Sequence, residues 1–320
     1  MSTRVRVLIL VGTVILIGVI LVVTRHSGPY AGLRAAFDAE FLTRPDGYRG
    51  LSQRYGFRFS SEPIQMDSGL MYRAVADGAV DVCCGFATDG RIPAYDLLIL
   101  KDDKGFFPPY HAAPLVRAET LKGHPELEGI LNRLAGKISD ETMRRMNYEV
   151  DDKGRRTVEV AREFLVSQKL ISPNAEPGDG SAGKITIGGK HFTEQDILGE
   201  MMAALIQYNT NIAVVRKLNL GGTMICFNAL RAGDLDLYLE YTGTGLMNIL
   251  KREVISDPDK VYETVRREFE ERYDLVWLKP FGFNNTFTLT MQREHAGELG
   301  IATVSDLAEY INKQQGETQI

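Results

Sequence analysis

The chain has 320 residues, 44% of them hydrophobic and 25% charged, a globular composition at a length that allows one large domain or two compact lobes. A formal net charge of -5 argues against a nucleic-acid partner, which would favour a basic face, and no Walker A loop, GxGxxG or zinc-type Cys/His array is present. The three cysteines, Cys83, Cys84 and Cys226, are odd in number and two are adjacent, so they read as small core residues and not as a disulfide framework.

The first element is an uninterrupted apolar run, VLILVGTVILIGVILVVT (residues 7–24), behind Arg4 and Arg6. At about 1.5 Å per residue it spans roughly 27 Å, close to the roughly 30 Å of a bilayer's hydrocarbon core. No small-residue cleavage site follows, so the run reads as an uncleaved N-terminal transmembrane helix with the bulk of the chain outside the membrane. Beyond it, GLRAAFDAEF reads as a strand and RPDGYRG as a turn. GYRGLSQRYG is a short helix stopped at Gly56, and GLMYRAVADG a second, closed by Gly78. AVDVCCGF and DLLILKDD are strands, and PELEGILNRLAG and TVEVAREFLVSQKL amphipathic helices. The Pro, Gly, Ser-rich SPNAEPGDGSAG (residues 172–183) is a linker. After it come strand KITIGGK and helix FTEQDILGEMMAALIQYN, with Thr193 as expected N-cap and Asp196 three residues on. Strand IAVVRKLNLG, helix TMICFNALRAG ending at Gly233 and strand DLDLYLEY complete the pattern. Strands alternating with helices predict an α/β architecture with largely parallel sheets.

The chain also matches itself at an offset of 155, the difference between Tyr241 and Phe86. Ala229, Gly233, Asp236, Tyr241 and Gly245 fall on Ala74, Gly78, Asp81, Phe86 and Gly90. Each copy encodes helix, glycine stop, strand, terminal aromatic and a Gly-containing turn. Because ligands of open α/β sheets bind beyond the carboxyl ends of strands, two such ends predict two lobes facing one cleft.

KITIGGKHFTEQDILGEMM, LGGTMICFNALRAGDLDLYLEYTGTG and FGFNNTFTLTM resemble the first half of the glycine betaine/choline-type substrate-binding proteins of osmoprotectant ABC importers. FDAEFLTRPDGYRGLSQRYGF, MDSGLMYRAVADGAVDV, ATDGRIPAYDLLILKDDKGFFPPYHAAPLVR and LAGKISDETMRRMNYEVD resemble the second half. The order of the halves is reversed relative to the family, which implies a circular permutation in which the linker joins the family's natural ends; a fragment of two tandem copies is the rival explanation. The resulting division is an anchor over 1–29, the family's C-terminal half over 30–171, the linker over 172–183 and the N-terminal half over 184–320. The resemblance implies a two-lobed, type II-like periplasmic-binding-protein fold, with one lobe of 86–171 plus 184–281 and another of 30–85 plus 282–320.

The resemblance further implies a non-enzymatic solute-binding component without a cofactor, tethered on the periplasmic or extracellular side of the cell membrane. Its partners would be an ABC permease with its ATPase; an osmolyte-sensing module is the alternative. A trimethylammonium group has no N–H to donate and is recognised by ring faces. The matching positions give a cage of Tyr241, Phe287, Phe86 and Tyr110, with Phe86 and Phe287 standing where the family commonly has Tyr. Arg44, Lys190 and Thr244 would take a betaine carboxylate, with Gln195 and Asn285 as polar neighbours. Each has a plainer reading: Arg44 could pair with Asp46 or Glu40, Lys190 could be a solvated turn charge, Phe86 and Tyr241 could pack at strand ends, and Thr244 could only shape its turn. His111, with no partner that sequence can place, reads as structural.

Overall fold

The computed structural model describes residues 32–317. The segment 7–24, expected to cross the membrane, lies outside them; among the described residues no helix is long and apolar enough to do so. Among the described residues ten strands form two five-stranded sheets: β1 (Ala35–Phe37), β2 (Ile64–Gln65), β3 (Val82–Phe86), β4 (Leu97–Leu100), β5 (Ala112–Arg117), β6 (Lys184–Gly188), β7 (Ala213–Lys217), β8 (Leu237–Tyr241), β9 (Leu275–Trp277) and β10 (Phe287–Gln292). The spatial orders are β2-β1-β3-β10-β4 and β7-β6-β8-β5-β9.

The two orders are the same order twice, and β3 and β8, the strands that match at an offset of 155, are central in their sheets. The matched aspartates explain part of the signal. Asp81 accepts the backbone N–H of Arg34 at 2.8 Å and Asp236 that of Thr186 at 2.7 Å, so each ties the neighbouring strand to the central one. Gly56 and Gly233 both sit in the left-handed region, φ 74° and 83°, and close the helices Tyr48–Tyr55 and Thr223–Ala232 as expected.

Three expectations need correction. The sheets are mixed: β10 runs antiparallel to β3 and β4, and β5 antiparallel to β8 and β9, because each sheet takes one strand from a chain that has just crossed from the other. The first lobe does not end at residue 85. β4 pairs with β10 in the first sheet, so the chain changes lobes between residues 101 and 111, and the first lobe holds residues 32–100 and 287–317. The chain returns to the first lobe over 278–286, between β9 and β10. Thr193 is not the N-cap of helix Thr193–Asn209; Phe192 holds that place without a side-chain bond, and the Thr193 hydroxyl donates to Asp151.

Helix Thr193–Asn209 packs against the helices Asp140–Asp151 and Thr157–Ser167 on one face of the second sheet. On the other face a separate core forms around Trp277, Phe269, Phe227 and Tyr238. The three cysteines are buried and free. The linker has no regular structure but is held at the end of this lobe: Gly178 donates to the Gln207 carbonyl at 2.7 Å and Ala182 to that of Asn211 at 3.0 Å.

In the first turn of Thr193–Asn209, Oδ1 of Asp196 is buried with no hydrogen-bond partner among the described residues. Burial, helped by the charge of Glu200, raises this carboxyl to about 6. Because the folded state holds the proton more tightly than an unfolded chain with its ordinary pKa of about 3.9, the contribution of Asp196 to stability is full below pH 4 and is lost as pH rises through 6. Asp196→Asn is therefore expected to melt above the parent at pH 7–8, with the gap closing at about pH 4; thermal unfolding across this range checks it.

Candidate ligand-binding site

The carboxyl ends of β3 and β8 and the start of β10 border a cavity of about 360 Å³ between the lobes, within the size range of small-molecule sites. The strand ends deliver its rings. Phe86 closes β3 and pairs in register with Phe287 at the start of β10, their ring centroids 5.5 Å apart. Tyr241 closes β8, and Tyr110 enters from the first crossing with its ring edge-on to Phe287 at 5.6 Å. A Cβ on Gly243 would lie 2.6 Å from the Tyr110 ring, so the TGT turn after β8 needs glycine to seat that ring. Phe192, which the sequence reading did not select, also lines the cavity. It stacks on Phe86 at 5.7 Å and on Tyr241 at 6.3 Å, linking the two rings matched by the internal repeat.

The polar side is a set of buried ion pairs. Arg44 lies on Asp46 through Nε at 2.9 Å and Nη2 at 2.5 Å, on Glu40 through Nη1 at 3.1 Å, and on the Thr244 hydroxyl at 3.2 Å. Its guanidinium also covers the Phe287 face at 5.0 Å. Burial opposes its charge, but the Asp46 carboxylate outweighs that and keeps the group protonated. Asp46 accepts the Tyr110 hydroxyl as well. Lys190 Nζ donates to Glu240 at 2.6 Å and sits 5.2 Å from the Tyr241 centroid. Glu40 reaches across the cleft to accept the Thr223 N–H at 2.6 Å and hydroxyl at 3.0 Å. Burial would raise its pKa, but Lys190 and Arg44 pull it down to about 2.

Beneath the rings the Glu194 carboxyl is buried, and among the described residues its partners are neutral. It accepts from Thr88 at 2.5 Å, Tyr241 at 2.7 Å, Asn285 at 2.8 Å and Asn147 at 3.0 Å. Burial raises its pKa and those four donors work against the rise.

Eight of the nine residues selected from sequence line the cavity: Tyr241, Phe287, Phe86, Tyr110, Arg44, Lys190, Thr244 and Asn285. Gln195 does not. It lies behind the wall, accepting the Lys190 N–H and donating to the Leu239 carbonyl, both at 3.2 Å, and so holds Lys190 in place. The plainer reading of Arg44 is also correct as far as it goes, since it pairs with both Asp46 and Glu40; Lys190 is buried and paired, not solvated. Lining residues that sequence reasoning missed include Phe192, His191, Asp38, Glu40 and Asp67. His111 takes part through its backbone, which pairs with Thr242. Among the described residues no group of three or more His, Cys, Asp or Glu could hold a metal ion.

A family profile, the substrate binding domain of the ABC-type glycine betaine transport system, matches residues 25–167 and 183–320. The chain belongs to this family, whose members are substrate-binding proteins of ABC transporters and not enzymes. It is 47% identical over 134 residues to the carnitine transport binding protein OpuCC of Listeria monocytogenes, covering 42% of this chain and 43% of that one. It is 39% identical over 150 residues to a glycine-betaine-binding protein of Pseudomonas aeruginosa, covering 47% and 46%. A solved structure of a glycine betaine/carnitine/choline ABC transporter is 44% identical over 43% of this chain and 50% of its own, with a TM-score of 0.35. The chain thus spans about half the length of the curated relatives it matches.

Proposed function

We propose, from membership of this family and from the ring-lined cavity, that the chain is the solute-binding component of an ABC importer for a quaternary ammonium osmoprotectant such as glycine betaine, choline or a relative. The observation that carries this reading is the cluster of Phe86, Tyr110, Phe192, Tyr241 and Phe287 around one cavity beside buried carboxylates. Ring faces attract a cation that offers no N–H, and the polar end of the ligand lies toward Arg44, Thr244 and Lys190. Ligand enters between the lobes, which close about the two crossings, and is handed to a permease driven by its ATPase. Substrate-binding proteins of such importers work outside the cytoplasm, and the apolar segment 7–24 tethers this one to the membrane.

The reading includes a circular permutation. The family profile matches in two blocks that leave out 168–182, and the match to each curated relative covers less than half of either chain, as a collinear comparison of a permuted chain would. Gly32 and Leu33 at the start of the described chain border one small cavity with Tyr310, Ile311 and Gln314 near its end. In the unpermuted order the chain would run on between these two places, so their adjacency is what a break in one loop would leave.

Calorimetric titration of the full-length protein in detergent with glycine betaine and with choline tests the function. Saturable binding of either supports it, and silence from a folded protein with both overturns it. Repeating the titration after protease cleavage at a site inserted in 172–183 is expected to leave a folded, binding-competent complex. Loss of folding on cleavage would sink the permutation.

A further inference from the structure

We propose that this pocket selects ligands by net charge, preferring quaternary ammonium alcohols that carry one positive charge over betaines that are neutral overall, and that Glu40 sets the preference. The inference rests on the ammonium reading above and sharpens it.

The two cations that face the cavity are matched before any ligand arrives. Arg44 is paired with Asp46 and Lys190 with Glu240, and both carboxylates are fully buried behind the wall. The guanidinium has five N–H donors in two forks. Nε and Nη2 form the fork taken by Asp46; at the outer end Nη1 is on Glu40 and Nη2 on Thr244. Neither fork is open to a ligand carboxylate, so the bidentate grip expected from the sequence is already used inside the protein.

On top of these balanced pairs, Asp38, Glu40 and Asp67 line the cavity. Asp38 and Asp67 are held by the backbone N–H groups of Phe41 at 2.9 Å and Gly69 at 2.8 Å, so both belong to fixed helix starts. Burial works against the charge on Asp38, so the excess of negative charge rests on Glu40, whose partly buried carboxylate is weakly screened, and on Asp67, which is exposed. A net cation is drawn in. A zwitterion gains at its ammonium end and meets Glu40 at the other.

Glu40 stands where this choice is made. It touches Arg44 on its own lobe and Thr223 on the other. Gly222 has no side chain to intervene; a Cβ there would lie 2.6 Å from Oε1. A ligand hydroxyl can donate to Glu40 and accept from the remaining N–H groups of Arg44 or Lys190, whereas a carboxylate offers acceptors alone.

The test is titration of the full-length protein with choline and with glycine betaine at low salt, on the parent and on Glu40→Gln, which keeps the shape and an acceptor for the Thr223 N–H. The parent is expected to bind choline about tenfold or more tighter than glycine betaine, and the variant to reduce that ratio about threefold or more. Equal or tighter binding of glycine betaine by the parent overturns the proposal while leaving the ammonium site standing. An unchanged ratio in a folded Glu40→Gln removes Glu40 from it. Should that variant not fold, Asp67→Asn probes the same charge excess and must also lower the ratio. Binding of neither probe by the parent overturns the ammonium reading and this inference together.

Discussion

Arg44→Ala is expected to destabilise the fold by about 3–5 kcal/mol, the cost of stranding one member of a buried ion pair, as well as weakening ligand binding. Asp46 is fully buried and receives two N–H groups from Arg44; without them it keeps the Tyr110 hydroxyl as its remaining side-chain donor. A reading of Arg44 as a ligand contact alone implies lost affinity in an intact protein, whereas the buried pair implies both losses at once. Urea unfolding with the ligand absent separates them. A loss below about 1 kcal/mol, the scale of an exposed pair, would show that Asp46 finds water or another partner. Arg44→Ala combined with Asp46→Asn should recover much of the stability, since the stranded charge is gone, and should not recover binding.

The ease with which the sequence revealed its lobes, and the difficulty of placing their borders, have one physical cause. Local signals are written within a few residues: the glycine stops at Gly56 and Gly233 depend on their own φ angles, and the apolar run before Phe86 on strand burial. Which sheet a strand joins depends on partners far along the chain. LLIL (residues 97–100) has the same pattern in either lobe, and only its pairing with β10 assigns it. The same division runs through the site. Family motifs and strand ends carried eight of the nine selected residues to the cavity wall. Asp46, two residues from Arg44, was within reach as a partner, but Lys190 and Glu240 are fifty positions apart, and the donors on Glu194 come from four separate segments. Phe192 was missed for a local reason. Nothing in FTEQ says where the first side chain points, whereas its place at the helix start turns the Phe192 ring between Phe86 and Tyr241.

Tyr241→Ala is expected to weaken choline or glycine betaine binding by roughly tenfold or more, because a desolvated ring face contributes on the order of 2 kcal/mol to a bound cation and about 1.4 kcal/mol is a factor of ten. The ring does two jobs that Tyr241→Phe separates. Its face lies against Phe192 and under Lys190, and its hydroxyl donates to Glu194 at 2.7 Å. Phenylalanine keeps the face and leaves Glu194 with Thr88, Asn147 and Asn285. That costs about 1–3 kcal/mol of stability, as a buried acceptor losing one partner does, while affinity stays within about threefold. Titration and urea unfolding on both variants read the two effects independently. If Tyr241→Ala binds as the parent does, the ring is a packing element and the ligand lies elsewhere in the cavity. If Tyr241→Phe loses as much affinity as Tyr241→Ala, recognition runs through the hydroxyl and the Glu194 network that fixes the lobes, and the ring face is incidental to it.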